Sequence, residues 1–113
     1  MTIDSVVLRR RVDDLESAVV FYQELTGEPA TRFEFAGLHL ASTGPFLLFS
    51  GPEEVADRFA GVAATLSVPD VDVTVAAGEA AGAEVIAAPA VTPNGRRAVL
   101  RHPDGGVFEY VSR

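Results

Sequence analysis

The side chain best placed to do chemistry is Glu109, in the stretch R-H-P-D-G-G-V-F-E-Y-V that spans 101–111. Pro103-Asp104-Gly105-Gly106 reads as a turn feeding a strand, with Val107, Glu109 and Val111 on one face and Phe108 and Tyr110 on the other. A carboxylate in mid-strand behind a wholly apolar face predicts two environments, a core on one side of the sheet and a cavity on the other. Alone in such a cavity, Glu109 would have its pKa raised and act as an acid or base. Paired with Arg9, it would stay ionised and hold geometry, which is the reading the residue types favour. His39, between Leu38 and Leu40, is expected to point into the same cavity if those leucines face the helices. There it reads as a proton shuttle, a hydrogen-bond donor to ligand, or a satisfied rim residue. His102 reads as a turn residue, and neither histidine has the Asp or Ser spacing of a triad. Arg96, Arg97 and Arg101, with Arg9 and Arg11, either receive an anion or pair with surface carboxylates. Surface pairing is expected of Arg96 and Arg97, and a cavity-facing guanidinium of Arg9.

Composition narrows the chemistry. The nine basic residues are all arginine, which removes Schiff-base and lysine-base mechanisms, and the absence of cysteine removes thiolate nucleophiles, zinc–thiolate sites and disulfides. A net charge of −7 argues against nucleic acid and anionic membranes as partners and would attract a cationic ligand. No run approaches the roughly 20 apolar residues of a membrane span, and no signal segment is evident, so a cytoplasmic protein is expected. At 113 residues the chain is expected to form one domain.

The elements that must position these residues follow from periodicity. Residues 3–12 alternate as a strand, and Leu15, Ala18, Val19, Tyr22 and Leu25 then trace one face of a helix, capped by Asp13 or Asp14 and stopped by Gly27. Strands are expected over 31–35, 38–41 and 45–50. A polar segment over 51–61, with room for a turn of helix, is the linker. The order then repeats: a strand over 62–68, a helix from the Asp70 cap to about Ala81, and strands near 84–87, 96–101 and 107–111. Val12, Asp14, Leu15, Glu16, Val19 and Glu28 recur 56 residues later as Val68, Asp70, Val71, Asp72, Val75 and Glu84, as a duplicated module would leave them. The fold class is therefore α+β, with βαβββ module one over 1–50 and module two over 62–113.

Paired βαβββ modules, with D-L-E-S-A-V-V-F-Y-Q-E-L-T-G (14–27) in the first and H-P-D-G-G-V-F-E-Y-V (102–111) closing the second, resemble the vicinal oxygen chelate superfamily. That superfamily includes glyoxalase I, extradiol dioxygenases, fosfomycin resistance enzymes and bleomycin-binding resistance proteins. The resemblance implies a curved, cup-shaped mixed sheet with helices on its outer face. In metal-dependent members, four strands each give one ligand to a divalent ion, and the matching positions here are Val7, Leu47, Ala63 and Glu109. With three of the four apolar, no metal and no cofactor are expected.

On strand alternation, Val7, Arg9, Leu47, Phe49, Ala63, Thr65 and Glu109 line the cup, while Val6 and Leu8 face the helices. Phe33 and Phe35 share a strand face that would suit stacking on a planar ligand, packing at a sheet rim or a dimer contact. Residues 91–95 are a candidate lid over the mouth. The first functional reading is a metal-independent protein that sequesters a hydrophobic or cationic small molecule as a homodimer. The alternative is a metal-free isomerase, cyclase or lyase using Glu109 with Arg9 or His39. A third is a structural or regulatory domain whose cup is filled by its own side chains.

Overall fold

The computed structural model describes residues 2–93 and 95–113. Its elements are β1 (Ser5–Arg11), α1 (Leu15–Thr26), β2 (Thr31–Phe35), β3 (Leu38–Thr43), β4 (Phe46–Ser50), α2 (Glu53–Ala60), β5 (Ala64–Ser67), α3 (Val71–Ala80), β6 (Glu84–Thr92), β7 (Gly95–Arg101) and β8 (Val107–Ser112). The class is α+β and the βαβββ order occurs twice, as the sequence indicates. Among the described residues, no helix is long and apolar enough to cross a membrane. The chain divides into two compact units, Val7–Gly61 and Val62–Arg113, the second joined by the residues leading to Val6.

Each module's long helix begins on its expected cap. The Asp14 carboxylate accepts the Ser17 N–H at 3.2 Å and the Ser17 hydroxyl at 2.9 Å, and Asp70 accepts the Val73 N–H at 3.1 Å. Gly27 ends α1 at φ +72°. The first-turn carboxylates Glu16 and Asp72 each take a two-point contact from an arginine, Arg32 and Arg96. The Ser17 N–H holds the Asp14 carboxyl below its ordinary pKa, and the guanidiniums of Arg32 and Arg96 do the same for Glu16 and Asp72. The unfolded chain therefore takes up protons at these groups first. Their contribution to stability is present above the ordinary carboxylate range and drains away as the pH falls through the lowered folded values. The thermal midpoint, followed by circular dichroism, is expected to drop on acidification below about pH 4.5. A midpoint that holds or rises there would contradict these contacts.

In the Val7–Gly61 unit the strands lie in the order β2-β3-β4-β1, antiparallel except for the parallel β4–β1 pair. α1 covers one face, packing Val19, Leu15, Ala18 and Tyr22 on Ala41, Leu48 and Phe46. The expected stripe fails at Leu25, which is 60% exposed. Thr26 turns inward in its place and meets the Thr43 hydroxyl at 2.7 Å, so the C-terminal end of the helix packs through polar groups.

The opposite face is covered too. α2 is a full two turns inside the supposed linker, and it sets Val55, Ala56 and Phe59 on Leu38, Leu40, Leu47 and Phe49. This reverses the expected direction of β3: the Leu40↔Phe49 and Ala41↔Leu48 pairings send Leu38 and Leu40 under α2 and Ala41 under α1. Val6 and Leu8, expected under a helix, are 42% and 45% exposed.

In the second unit the order is β5-β8-β7-β6, the same arrangement with β5 in the place of β1. α3 packs Val71 and Val75 on Leu66, Ala98, Leu100 and Tyr110, leaving the other face free of helix within the unit. β6 runs on past the expected 84–87 to Thr92, with register shifts on either side of Ala87 that accommodate Pro89. Of the residues expected as a lid, Val91 and Thr92 end β6 and Gly95 opens β7, within one β6–β7 hairpin, and Asn94 lies outside the described residues.

Candidate functional site

On the face of the second unit turned away from α3, Glu109 sits in β8 between parallel β5 and antiparallel β7. Its Oε1 accepts the Thr65 hydroxyl at 3.0 Å, and its Oε2 accepts Arg97 Nε at 2.7 Å. The Glu109 side chain is 16% exposed and Arg97 40%. Val99 is directly opposite Glu109, and Val107 and Val111 flank it along β8. The result is an apolar strip around a carboxylate whose two oxygens are both engaged. Such a group is held in place by a guanidinium and a hydroxyl, a geometry suited to orienting a ligand.

Arg97, read from sequence as a surface cation, is the correction here. Its own opposite is Val111, so it reaches Glu109 diagonally across the β7–β8 pair, within range of a long side chain. Only the strand register reveals this. Arg96 does pair at the surface, with Asp72. His102 is also more than a turn residue: its ring stacks on Phe108 at 4.3 Å and its Nε2 lies 2.6 Å from the Tyr110 hydroxyl. Burial pushes the Tyr110 phenol up. The P-D-G turn is thereby clamped to the strand it feeds.

The other expected site residues divide between the two units. Thr65 and Glu109 are in contact, and Ala63, exposed, donates its N–H to the Val107 carbonyl at 2.8 Å. In the first unit Val7, Arg9, Leu47, Phe49, Phe33 and Phe35 share one sheet face, as alternation requires. Much of that face is occupied. Phe49 is 1% exposed and meets the Phe59 ring edge-on at 4.8 Å. The Arg9 guanidinium lies 3.9 Å from the Phe59 ring centroid, and its Nη1 donates to the Phe59 carbonyl at 3.0 Å. Arg11 is ion-paired with Asp57, so α2 is fastened at three points. Phe33 and Phe35 lie at the uncovered end, 44% and 60% exposed.

His39 is not on that face. Its opposite, Ser50, and its β2 partner, Glu34, place it on the α1 side, where it stands 3.2 Å from Glu34 in an exposed, largely acidic depression beside Asp13, Asp14 and Glu16. The expectation failed because it assumed that Leu38 and Leu40 face α1. They face α2.

With that geometry in hand, the comparisons are informative. The Glyoxalase-like domain family matches residues 5–111. The chain belongs to that family. Through it the chain is a member of the vicinal oxygen chelate superfamily. The crystal structure of a hypothetical protein from Methanosarcina mazei is 40% identical over all of this chain and 94% of its own, with a TM-score of 0.87. Methylmalonyl-CoA epimerase from Mycobacterium tuberculosis is 16% identical over 97% of this chain and 88% of its own, with a TM-score of 0.70. A Streptomyces coelicolor methylmalonyl-CoA epimerase in complex with 2-nitronate-propionyl-CoA is 20% identical over 98% of each chain, with a TM-score of 0.69. At those two identities the likeness is one of fold. None of the curated proteins compared with the chain matches it.

The divalent ion of the metal-dependent glyoxalase relatives does not suit this donor set. Val7, Leu47 and Ala63 offer no ligand atom, and the remaining position, Glu109, already holds a guanidinium on one oxygen and a hydroxyl on the other. Among the described residues, no three His, Cys, Asp or Glu come together as a metal site would need.

Proposed function

We propose that this glyoxalase-like protein is a metal-independent small-molecule-binding protein, working as a homodimer, which holds its ligand on the sheet face that carries Thr65, Arg97 and Glu109. The observation that supports this most is the engagement of both Glu109 oxygens beside Val107 and Val111, its half-buried neighbours on the same face of β8. An apolar surface with a few fixed polar groups is the usual make-up of a small-molecule site. The net charge of −7 favours a cationic ligand at long range. At the site itself Arg97 offsets the Glu109 charge, which favours a hydrophobic ligand with a hydrogen-bonding group.

A second reading, a metal-free proton-transfer enzyme, draws on the same carboxylate and on the epimerase activity named for several proteins of this fold. Against it stands the tethering of Glu109. Glu109→Gln separates the two, because the amide still reaches Thr65 and Arg97 but cannot act as a base. In a calorimetric screen of apolar small molecules, the variant is expected to keep the affinity of the parent to within about tenfold, with no turnover by either. Turnover by the parent that disappears in the variant while binding remains would overturn the sequestration reading in favour of the enzyme.

A further inference from the structure

β2 ends its ladder, paired on one side with β3 and exposed at all five residues. Natural edge strands are blunted by proline, lysine, bulges or irregular pairing, because an open edge recruits another strand. β6, which ends the other ladder, has such protection in Pro89 and two register shifts. β2 has none. Thr31-Arg32-Phe33-Glu34-Phe35 contains no proline, glycine or lysine, and it pairs with β3 without interruption from Thr31↔Ser42 to Phe35↔Leu38. Phe33 and Phe35 add exposed aromatic surface along that edge.

We infer that β2 is the surface through which two copies of this chain associate, by antiparallel pairing centred on Phe33. Two identical strands pair antiparallel about a two-fold axis perpendicular to the sheet, which sets residues of one face opposite residues of the same face. Three such registers have their centre within the middle of the strand. Centring on Arg32 opposes two guanidiniums, and centring on Glu34 opposes two carboxylates. Centring on Phe33 opposes the two Phe33 rings and sets Arg32 against Glu34 of the partner subunit, twice over. The intramolecular contacts leave room for this pairing. Arg32 gives Nε and Nη2 to Glu16, keeping Nη1, and Glu34 meets His39 through Oε1, keeping Oε2.

The surface rests on the homodimer reading proposed above, and a charge swap followed by sedimentation equilibrium tests the two separately. Arg32→Glu and Glu34→Arg each place like charges across the two-fold, and each is expected to raise the dimer dissociation constant about tenfold or more. The double variant restores opposite charges and is expected to return to within about threefold of the parent. Both positions are exposed, and circular dichroism melts verify that the variants fold. A parent chain that stays monomeric overturns the homodimer and its surface together. A dimeric parent whose single variants are equally dimeric overturns the β2 surface alone, and dissociation without rescue overturns the register.

Discussion

Phe49→Ala is expected to lose about 3–5 kcal/mol of stability, the range for truncating a fully buried aromatic side chain. With a domain total of about 5–15 kcal/mol, that is a large share, and the thermal midpoint should fall by roughly 10–20 °C. The ring is 1% exposed and shares its cluster with Leu38, Leu40, Ala56, Val55 and Phe59. Removing it leaves a cavity beneath α2 and strips the edge-on contact from Phe59, the residue that also holds Arg9 by ring and carbonyl. The sheet cannot collapse to fill the space, because β4 is paired on both sides. Had Phe49 been a ligand-stacking residue on an open face, the substitution would abolish binding and leave the midpoint nearly unchanged. Chemical and thermal unfolding of Phe49→Ala beside Val20→Ala distinguishes the two, since Val20 on α1 is 70% exposed and its truncation should stay within about 0.5 kcal/mol.

That contrast marks what local pattern could and could not reveal. The caps were legible, because Asp14 and Asp70 act through residues three positions away. So was the duplication: residues 56 apart, Glu16 and Asp72, occupy equivalent first turns and both bind an arginine. Those arginines, in β2 and β7, do not share the offset, which is why the sequence comparison could not supply them. The sequence allows a turn of helix over 51–61, and α2 exceeds it for a thermodynamic reason. An eight-residue helix is below the length that propensity can sustain, so its stability comes from packing against strands whose positions the sequence does not state. Once α2 is in place, the first module has helices on both faces, and the rule that apolar residues point toward the helix no longer selects one side. His39 was misdirected by that ambiguity alone. In the second unit the far face carries no helix of that unit, the rule holds, and Glu109 and Thr65 lie where alternation put them. Arg97 required the β7–β8 register, which depends on how the chain turns between 101 and 107.

Gly95→Ala is expected to cost about 3–4 kcal/mol, more than its size suggests. The residue has φ +124°, a region essentially reserved for glycine, and an added Cβ would stand 2.3 Å from the Ser112 carbonyl oxygen and 3.1 Å from the Arg113 Cα. Both obstacles are backbone, so no side-chain rotation relieves the contact. Nor can Gly95 readily shift, because its carbonyl accepts the Thr92 hydroxyl at 2.8 Å and Arg96 beside it pairs with Ser112. Gly27→Ala provides the reference. At φ +72° it meets nothing within 4 Å, so it should cost only the left-handed backbone penalty of about 1–2 kcal/mol. Denaturant unfolding of the two variants should therefore differ by the clash against β8, and equal losses would mean that the end of β8 yields freely. If it does not yield, the displacement runs along β8 through Val111, the residue opposite Arg97, toward Glu109. Amide exchange in β8 should then quicken in Gly95→Ala and stay unchanged in Gly27→Ala. The same glycine that closes the β6–β7 hairpin thus fixes how closely β7 and β8 approach, and with it the spacing at which Arg97 reaches Glu109.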